Sequence, residues 1–136
     1  MAQAKHIGKI VVDQRQAIGE VSIRTDATYR ITGGLGGLGL QFAHWMVERG
    51  ARHLILLAWR PAGKKIQKTI DQLEADGANI IISQVDVAER ADLQNVLSLI
   101  EPEISLRGII HAAGVVDDAA LINQNRERFI KVFLQR

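Results

Sequence analysis

Thr32-Gly33-Gly34-Leu35-Gly36-Gly37-Leu38-Gly39 joins a short apolar run, Tyr29–Ile31, to an amphipathic run, Leu38–Arg49. Five of the seven residues from 33 to 39 are glycine. Glycine at that density costs backbone entropy that a simple connection does not require. Between a strand and a helix it is the fingerprint of a dinucleotide site. It permits a tight turn, lets a diphosphate approach the backbone, and aims the first N–H groups of the helix at the phosphate oxygens.

Outward from this turn the pattern alternates. Strands are expected at Thr28–Thr32, His53–Ala58, Asn79–Val85 and Gly108–His111. Helices are expected at about Leu38–Arg49, Gly63–Asp76 and Ala88–Ile100, with a last one beginning near Asn125. Leu38, Phe42, Trp45 and Met46 share one face of the first helix, and Ile66, Ile70 and Leu73 share one face of the second. Gly50 and Gly77 stop these two helices and Pro102 the third. Asp86 and Glu89 have capping-box spacing at the start of the third. Phe129, Ile130 and Phe133 mark the inner face of the last. Strand–helix–strand repetition with right-handed crossovers predicts a Rossmann-type α/β fold with a parallel sheet in the order 3-2-1-4 and helices on both faces. The strands read as continuous apolar runs, as burial on both faces requires. Arg30 breaks that rule, and its charge needs a partner or a route to water. Residues 1–27 read as a tail or linker, with Ile7–Val12 and Glu20–Ile23 as possible short strands, and residues 28–136 as the main fold.

Composition narrows the function. The chain has 136 residues, 47% of them apolar, and a net charge of +2 with acids and bases interspersed. No basic stripe alternates with aromatics, so nucleic acid is not an expected partner. The absence of cysteine excludes disulfides and thiolate metal sites. The longest clean apolar run, Leu54–Trp59, is too short to span a bilayer. Lys5, His6 and Lys9 interrupt any signal-like segment. These features suggest a cytoplasmic protein with neither a membrane nor a metal.

The end of the second strand selects the cofactor. An NAD site usually places an acid there for the ribose 2′-hydroxyl. Here Ala58-Trp59-Arg60 takes that place, and the first acid afterwards is Asp71. A cation at Arg60 suits a 2′-phosphate and predicts NADP(H), against the alternative of an ordinary surface arginine. Asp86-Val87 ends the third strand, and the Asp86 carboxylate can cap the next helix, accept from an adenine amino group, or do both. His111-Ala112-Ala113-Gly114 ends the fourth strand. Its small residues let backbone lie against ribose and nicotinamide. His111 has no nucleophile or carboxylate at a recognisable spacing and reads as packing rather than as a base. Asp117-Asp118 has no accompanying ligand cluster and reads as a solvated pair rather than a metal site.

Together these pieces resemble the ketoreductase domain of modular polyketide synthases, a branch of the short-chain dehydrogenase/reductases. The matching residues are Tyr29–Leu40, Gly50-Ala51, Arg60, Asp86-Val87 and Leu106–Leu121, and the similarity runs from about Ile23 to the end. His6–Val11 resembles the end of an enoylreductase domain. The resemblance implies that NADPH delivers hydride to the β-ketone of an acyl chain on an acyl carrier protein, within a larger multidomain synthase. It implies a cofactor site made of Thr32, Gly33, Leu35, Gly36, Gly37, Leu38, Trp59, Arg60, Asp86, Val87, His111, Ala112, Ala113 and Gly114. Asp117 and Asp118 are implied at the substrate entrance, in the pattern of one stereochemical class, although Val116 precedes them where Leu is usual.

The family's catalytic set is Ser, Tyr, Lys and Asn. Arg136 occupies the place of the lysine. The serine and tyrosine belong beyond the last residue, since Tyr29 is the only tyrosine and lies on the wrong side of the fingerprint. Arg30 stands where the family has an apolar residue. Trp59 stands where it has a small polar one, able either to stack on adenine or to crowd the 2′-phosphate. The sequence therefore reads as the cofactor-binding part of a ketoreductase, inactive alone. The alternative is a stand-alone NADP-binding regulatory or structural module. A nucleotide-sugar epimerase half shares the glycine loop but not the His-Ala-Ala-Gly and Asp-Asp run.

Overall fold

The computed structural model describes residues 22–98, 100 and 104–133. Its strands are β1 (Thr28–Thr32), β2 (His53–Ala58), β3 (Asn79–Gln84) and β4 (Leu106–His111). Its helices are α1 (Gly37–Glu48), α2 (Lys64–Ala75), α3 (Arg90–Leu97) and α4 (Arg126–Phe133), with a 3₁₀ turn at Leu121–Asn123 before α4. All strand pairs are parallel and the order is β3-β2-β1-β4, as the sequence predicts. The positions of Ile7–Val12, Pro102 and Arg136 lie outside the described residues. No helix among the described residues is long and apolar enough to cross a membrane.

The sheet divides the core by residue parity, because successive strand side chains point to opposite faces. On one face Tyr29, Ile31, Leu54, Leu56 and Ile80 pack against Ala43, Met46 and Val47 of α1 and Ile70 and Leu73 of α2. On the other face Ile55 and Leu57 pack against Val96 of α3. Strands β1 and β2 lie between both layers and are almost wholly buried. Strands β3 and β4 are not; in both, burial alternates, and Ile109 is 54% exposed. Continuous burial, expected of every strand, holds only for the two central ones. An outer strand of a four-stranded sheet has one neighbour; in β4, Ile110 packs against the α1 cluster whereas Arg107, Ile109 and His111 on the other face are exposed.

The inner face of α1 also differs from the expected stripe. Gly39, Ala43, Met46 and Val47 face the core, whereas Leu38 is 62% and Trp45 38% exposed. Small residues at 39 and 43 let the helix axis approach the sheet, which rotates the larger side chains outward. Trp45 instead lies under Arg49, whose guanidinium carbon is 4.9 Å from the ring centroid.

Helix α3 starts later and ends earlier than expected, and the Asp86–Glu89 capping box does not form. The Asp86 carboxylate accepts the N–H of Ala88 at 2.9 Å, and Glu89 N–H donates to the Asp86 carbonyl at 3.0 Å. That turn occupies the chain before the helix can begin. Glu89 is the N-cap by backbone position but makes no side-chain cap bond. Asp92, three residues on, accepts the Asp86 N–H at 3.0 Å.

Arg30 points to the face shared by Ile55 and Ile109, its neighbours in register on β2 and β4. Its Nε and Nη1 are buried with no hydrogen-bond partner among the described residues.

Candidate functional site

All four strands run the same way, so their C-terminal ends meet along one edge of the sheet, where open α/β sheets take their ligands. A cavity of about 840 Å³ lies along that edge. This is within the range of small-molecule sites, roughly 300–1,000 Å³. It is walled by Gly33, Leu35 and Gly36 after β1, Leu57 and Ala58 at the end of β2 and Trp59–Pro61 after it, Val85–Val87 after β3, Ala112–Val115 after β4, and by Ile66 and Lys131.

The glycine turn is shaped by close backbone packing. Gly33 has φ +65°, and a Cβ there would lie 2.6 Å from the Ala112 carbonyl oxygen. The β1 turn thus rests directly on the backbone leaving β4. Gly39, in the first turn of α1, would place a Cβ 2.2 Å from the Gly33 carbonyl oxygen. Only glycine at both positions lets turn, strand end and helix meet this closely. The N-terminus of α1 carries no side-chain cap and no acid in its first turn. Its leading N–H groups are therefore left for an anion, which the positive end of the helix dipole also favours.

Thr32 and His111 are outside the cavity wall, Thr32 buried and His111 exposed. Thr32 Oγ1 is 2.6 Å from His111 Nδ1 and also accepts the Ala113 N–H at 3.3 Å. The Thr32–His111 bond spans the C-terminal ends of β1 and β4 at the start of the Ala112–Gly114 wall.

At the far side, Trp59 is 58% exposed and its carbonyl accepts from Gln84 Nε2 at 3.1 Å. Arg60 lines the cavity, is exposed, and makes no hydrogen bond or ion pair with any described residue. Asp86 supports its own turn through one carboxylate oxygen, leaving the other unbonded among the described residues.

Of the expected cofactor residues, Gly33, Leu35, Gly36, Trp59, Arg60, Asp86, Val87, Ala112, Ala113 and Gly114 line the cavity. Gly37 and Leu38 stand at the start of α1 outside its wall, and Leu38 is largely exposed. Asp117 and Asp118 also lie outside the wall and behave differently from one another. Asp117 accepts from Arg128 on one carboxylate oxygen and from Lys131 at 3.1 Å on the other. These bonds, led by that to Lys131, hold its carboxyl below the usual carboxylate range. Asp118 is exposed, and among the described residues only its backbone carbonyl is engaged, by Arg128 at 3.4 Å.

Sequence reasoning missed Leu57, Pro61, Ile66, Val85, Val115 and Lys131 in the wall. Leu57, Pro61, Val85 and Val115 follow once the strand ends are known, and Ile66 comes from the first turn of α2. Lys131 has no local signal, because α4 meets the strand edge only through tertiary structure.

A family model described as "KR domain" matches residues 27–135. The chain is 34% identical over 133 residues to the highly reducing polyketide synthase Preu5 of Preussia isomera, covering 90% of this chain and 5% of that one. It is 44% identical over 123 residues to a 6-methylsalicylic acid synthase of Arthrobotrys oligospora, covering 79% of this chain and 7% of that one. Among solved structures it is similar to a ketoreductase domain from the bacillaene assembly line, with TM-score 0.75 and 30% identity over 82% of this chain and 27% of that one. The chain therefore spans about a twentieth of the curated synthases it matches.

Proposed function

This chain belongs to the KR domain family, and we propose that residues 28–136 form the NADPH-binding part of a β-ketoacyl reductase acting on intermediates carried by an acyl carrier protein. The observation that carries this reading is convergence on one cavity. An uncapped helix N-terminus, a glycine turn packed on the β4 exit, and a guanidinium unpaired among the described residues adjoin the same 840 Å³ space.

The residues fit the cofactor in order along the edge. The turn from Gly33 to Leu38 would take the diphosphate. Arg60 would pair with the 2′-phosphate, and Trp59, Asp86 and Val87 would surround the adenine. Ala112, Ala113 and Gly114, held by Thr32 and His111, would lie along the ribose and nicotinamide. Asp117 and Asp118 would stand at the substrate entrance. When bound, NADPH supplies the hydride that reduces the ketone carbon.

The chain's own contribution is binding and orientation. Tyr29, its only tyrosine, is 6% exposed inside the sheet, and its hydroxyl accepts the Arg24 N–H at 2.8 Å. It is not available to protonate a ketone oxygen, a role the reaction requires of a general acid. Arg136, at the place of the family lysine, lies outside the described residues. Reduction would then need further residues of the synthase. The small share of the matched synthases that the chain represents supports that context over a free-standing module.

Titration with both cofactors tests the assignment. The chain is expected to bind NADPH more tightly than NADH. Arg60→Ala is expected to weaken NADPH by about 1.5–3 kcal/mol, the value of a charge-assisted hydrogen bond, and to leave NADH unchanged. Tighter NADH binding by the unaltered chain rejects it.

A further inference from the structure

Residues 112–120 carry no regular secondary structure between β4 and the 3₁₀ turn, yet their first four form one wall of the cavity. Packing does little to hold α4 beside them, since none of its residues is fully buried and Phe129 and Ile130 are 54% and 41% exposed. Charge does more. The Asp117 side chain is only 15% exposed and receives Arg128 and Lys131 on separate oxygens. Arg128 also reaches the Asp118 carbonyl, and its own N–H donates to Asn125 Oδ1 at 3.0 Å, which caps the same turn of α4. One carboxylate therefore ties the loop to two positions on the helix, while the neighbouring Asp118 side chain has no partner among the described residues.

We propose that Asp117 is a positioning residue: with Arg128 and Lys131 it clamps the 112–120 loop to α4 and so sets the Ala112–Val115 wall. What the wall serves rests on the cofactor reading above; the clamp does not. Charge-assisted bonds of this kind are stronger than neutral ones, and three charges in one network resist the screening that makes isolated surface pairs weak.

Amide hydrogen exchange on the full chain reads the clamp directly. Asp117→Asn is expected to speed exchange by about tenfold in both 112–120 and 126–133, with β1 and β2 unchanged as the internal control. Asp118→Asn is expected to change neither segment, and Asp117→Glu to restore protection. Arg128→Gln is expected to match Asp117→Asn, and the double variant to exchange no faster than either single one, as members of one network should. Exchange in Asp117→Asn within about twofold of the unaltered chain, or an equal effect from Asp118→Asn, overturns the proposal. Should Asp117→Asn also lose protection in β1 and β2, Lys131→Gln decides. A smaller acceleration confined to the two segments supports the clamp, and none overturns it.

NADPH titration then separates the two readings. Weaker binding by Asp117→Asn alone ties the clamp to the cofactor wall. Equal binding by both variants, with exchange accelerated, overturns the claim that the clamp sets that wall. If the unaltered chain binds no NADPH, the proposed function falls, and the exchange data still decide the clamp.

Discussion

Two glycines two residues apart in the fingerprint, Gly37 and Gly39, have opposite surroundings. A Cβ at Gly39 would meet the Gly33 carbonyl oxygen at 2.2 Å and the Gly34 Cα at 2.7 Å, whereas one at Gly37 meets nothing within 4 Å. Backbone cannot retreat as a flexible side chain can, so the helix would have to move off the strand end. Gly39→Ala is expected to cost about 3 kcal/mol or more, the upper range of overpacking. Gly37→Ala is expected to hold or slightly raise stability, because alanine favours the helix by about 1 kcal/mol. Urea denaturation of the pair measures the contrast, and equal midpoints would show that the turn is not set by this contact. The glycine spacing was readable in the sequence as a tight turn from strand to helix. Which glycine is pinned by backbone was not, because the Gly33 carbonyl that pins Gly39 comes near only once the turn has folded.

Among the elements, α3 separates what spacing encodes from what geometry decides. A Ser/Thr/Asp followed three residues later by Glu is the pattern of a capping box, and Asp86 and Glu89 have that spacing. The structure assigns the reciprocal bond to Asp92 instead, through the Asp86 N–H at 3.0 Å. Asp92→Ala is therefore expected to destabilise by about 1 kcal/mol, as loss of a cap does. Glu89→Ala should stay within about 0.5 kcal/mol, as for an ordinary surface site. Denaturant midpoints for the two variants check this; the reverse ranking would restore the Asp86–Glu89 box. Element type and order were legible because short continuous apolar runs alternate with runs of helical spacing, and Gly50 and Gly77 close the first two helices. The face of α1 was less so. Periodicity selects a stripe of large residues, but the close approach allowed by Gly39 and Ala43 turned Leu38 and Trp45 outward. The clamp from Asp117 to α4 was not legible at all, since its members are 11 and 14 residues apart across a loop without periodic signal.

For the molecule as a whole, the unresolved charge of the sequence and the uncovered surface of the structure are at the same place. Arg30 and Ile109 are register partners on β1 and β4 and share a face. The guanidinium has two buried nitrogens without partners among the described residues, and the isoleucine is 54% exposed. β4 pairs only with β1 among the described residues, which leaves its outer edge open to other chains. With Phe129 and Ile130 also exposed on α4, the isolated chain is expected to self-associate as its concentration rises, and sedimentation velocity over a dilution series detects this. Two substitutions at one position separate apolar from electrostatic causes. Ile109→Lys and Ile109→Glu both remove the exposed apolar group, so both should reduce association. Only the glutamate offers Arg30 a partner; the lysine sets a like charge beside it. Cross-strand charge pairs are worth roughly 0.2–1 kcal/mol, and satisfying a buried charged group adds to that. Ile109→Glu is therefore expected to be more stable than Ile109→Lys by about 1–2 kcal/mol at neutral pH. That difference should shrink as acid protonates the glutamate. Its pairing lowers the folded-state pKa, so the stabilisation is present above the ordinary carboxylate range and lost below it. Equal stability of the two variants across that range would mean that the Arg30 charge is already satisfied by water, and that the open face is held by apolar contact alone.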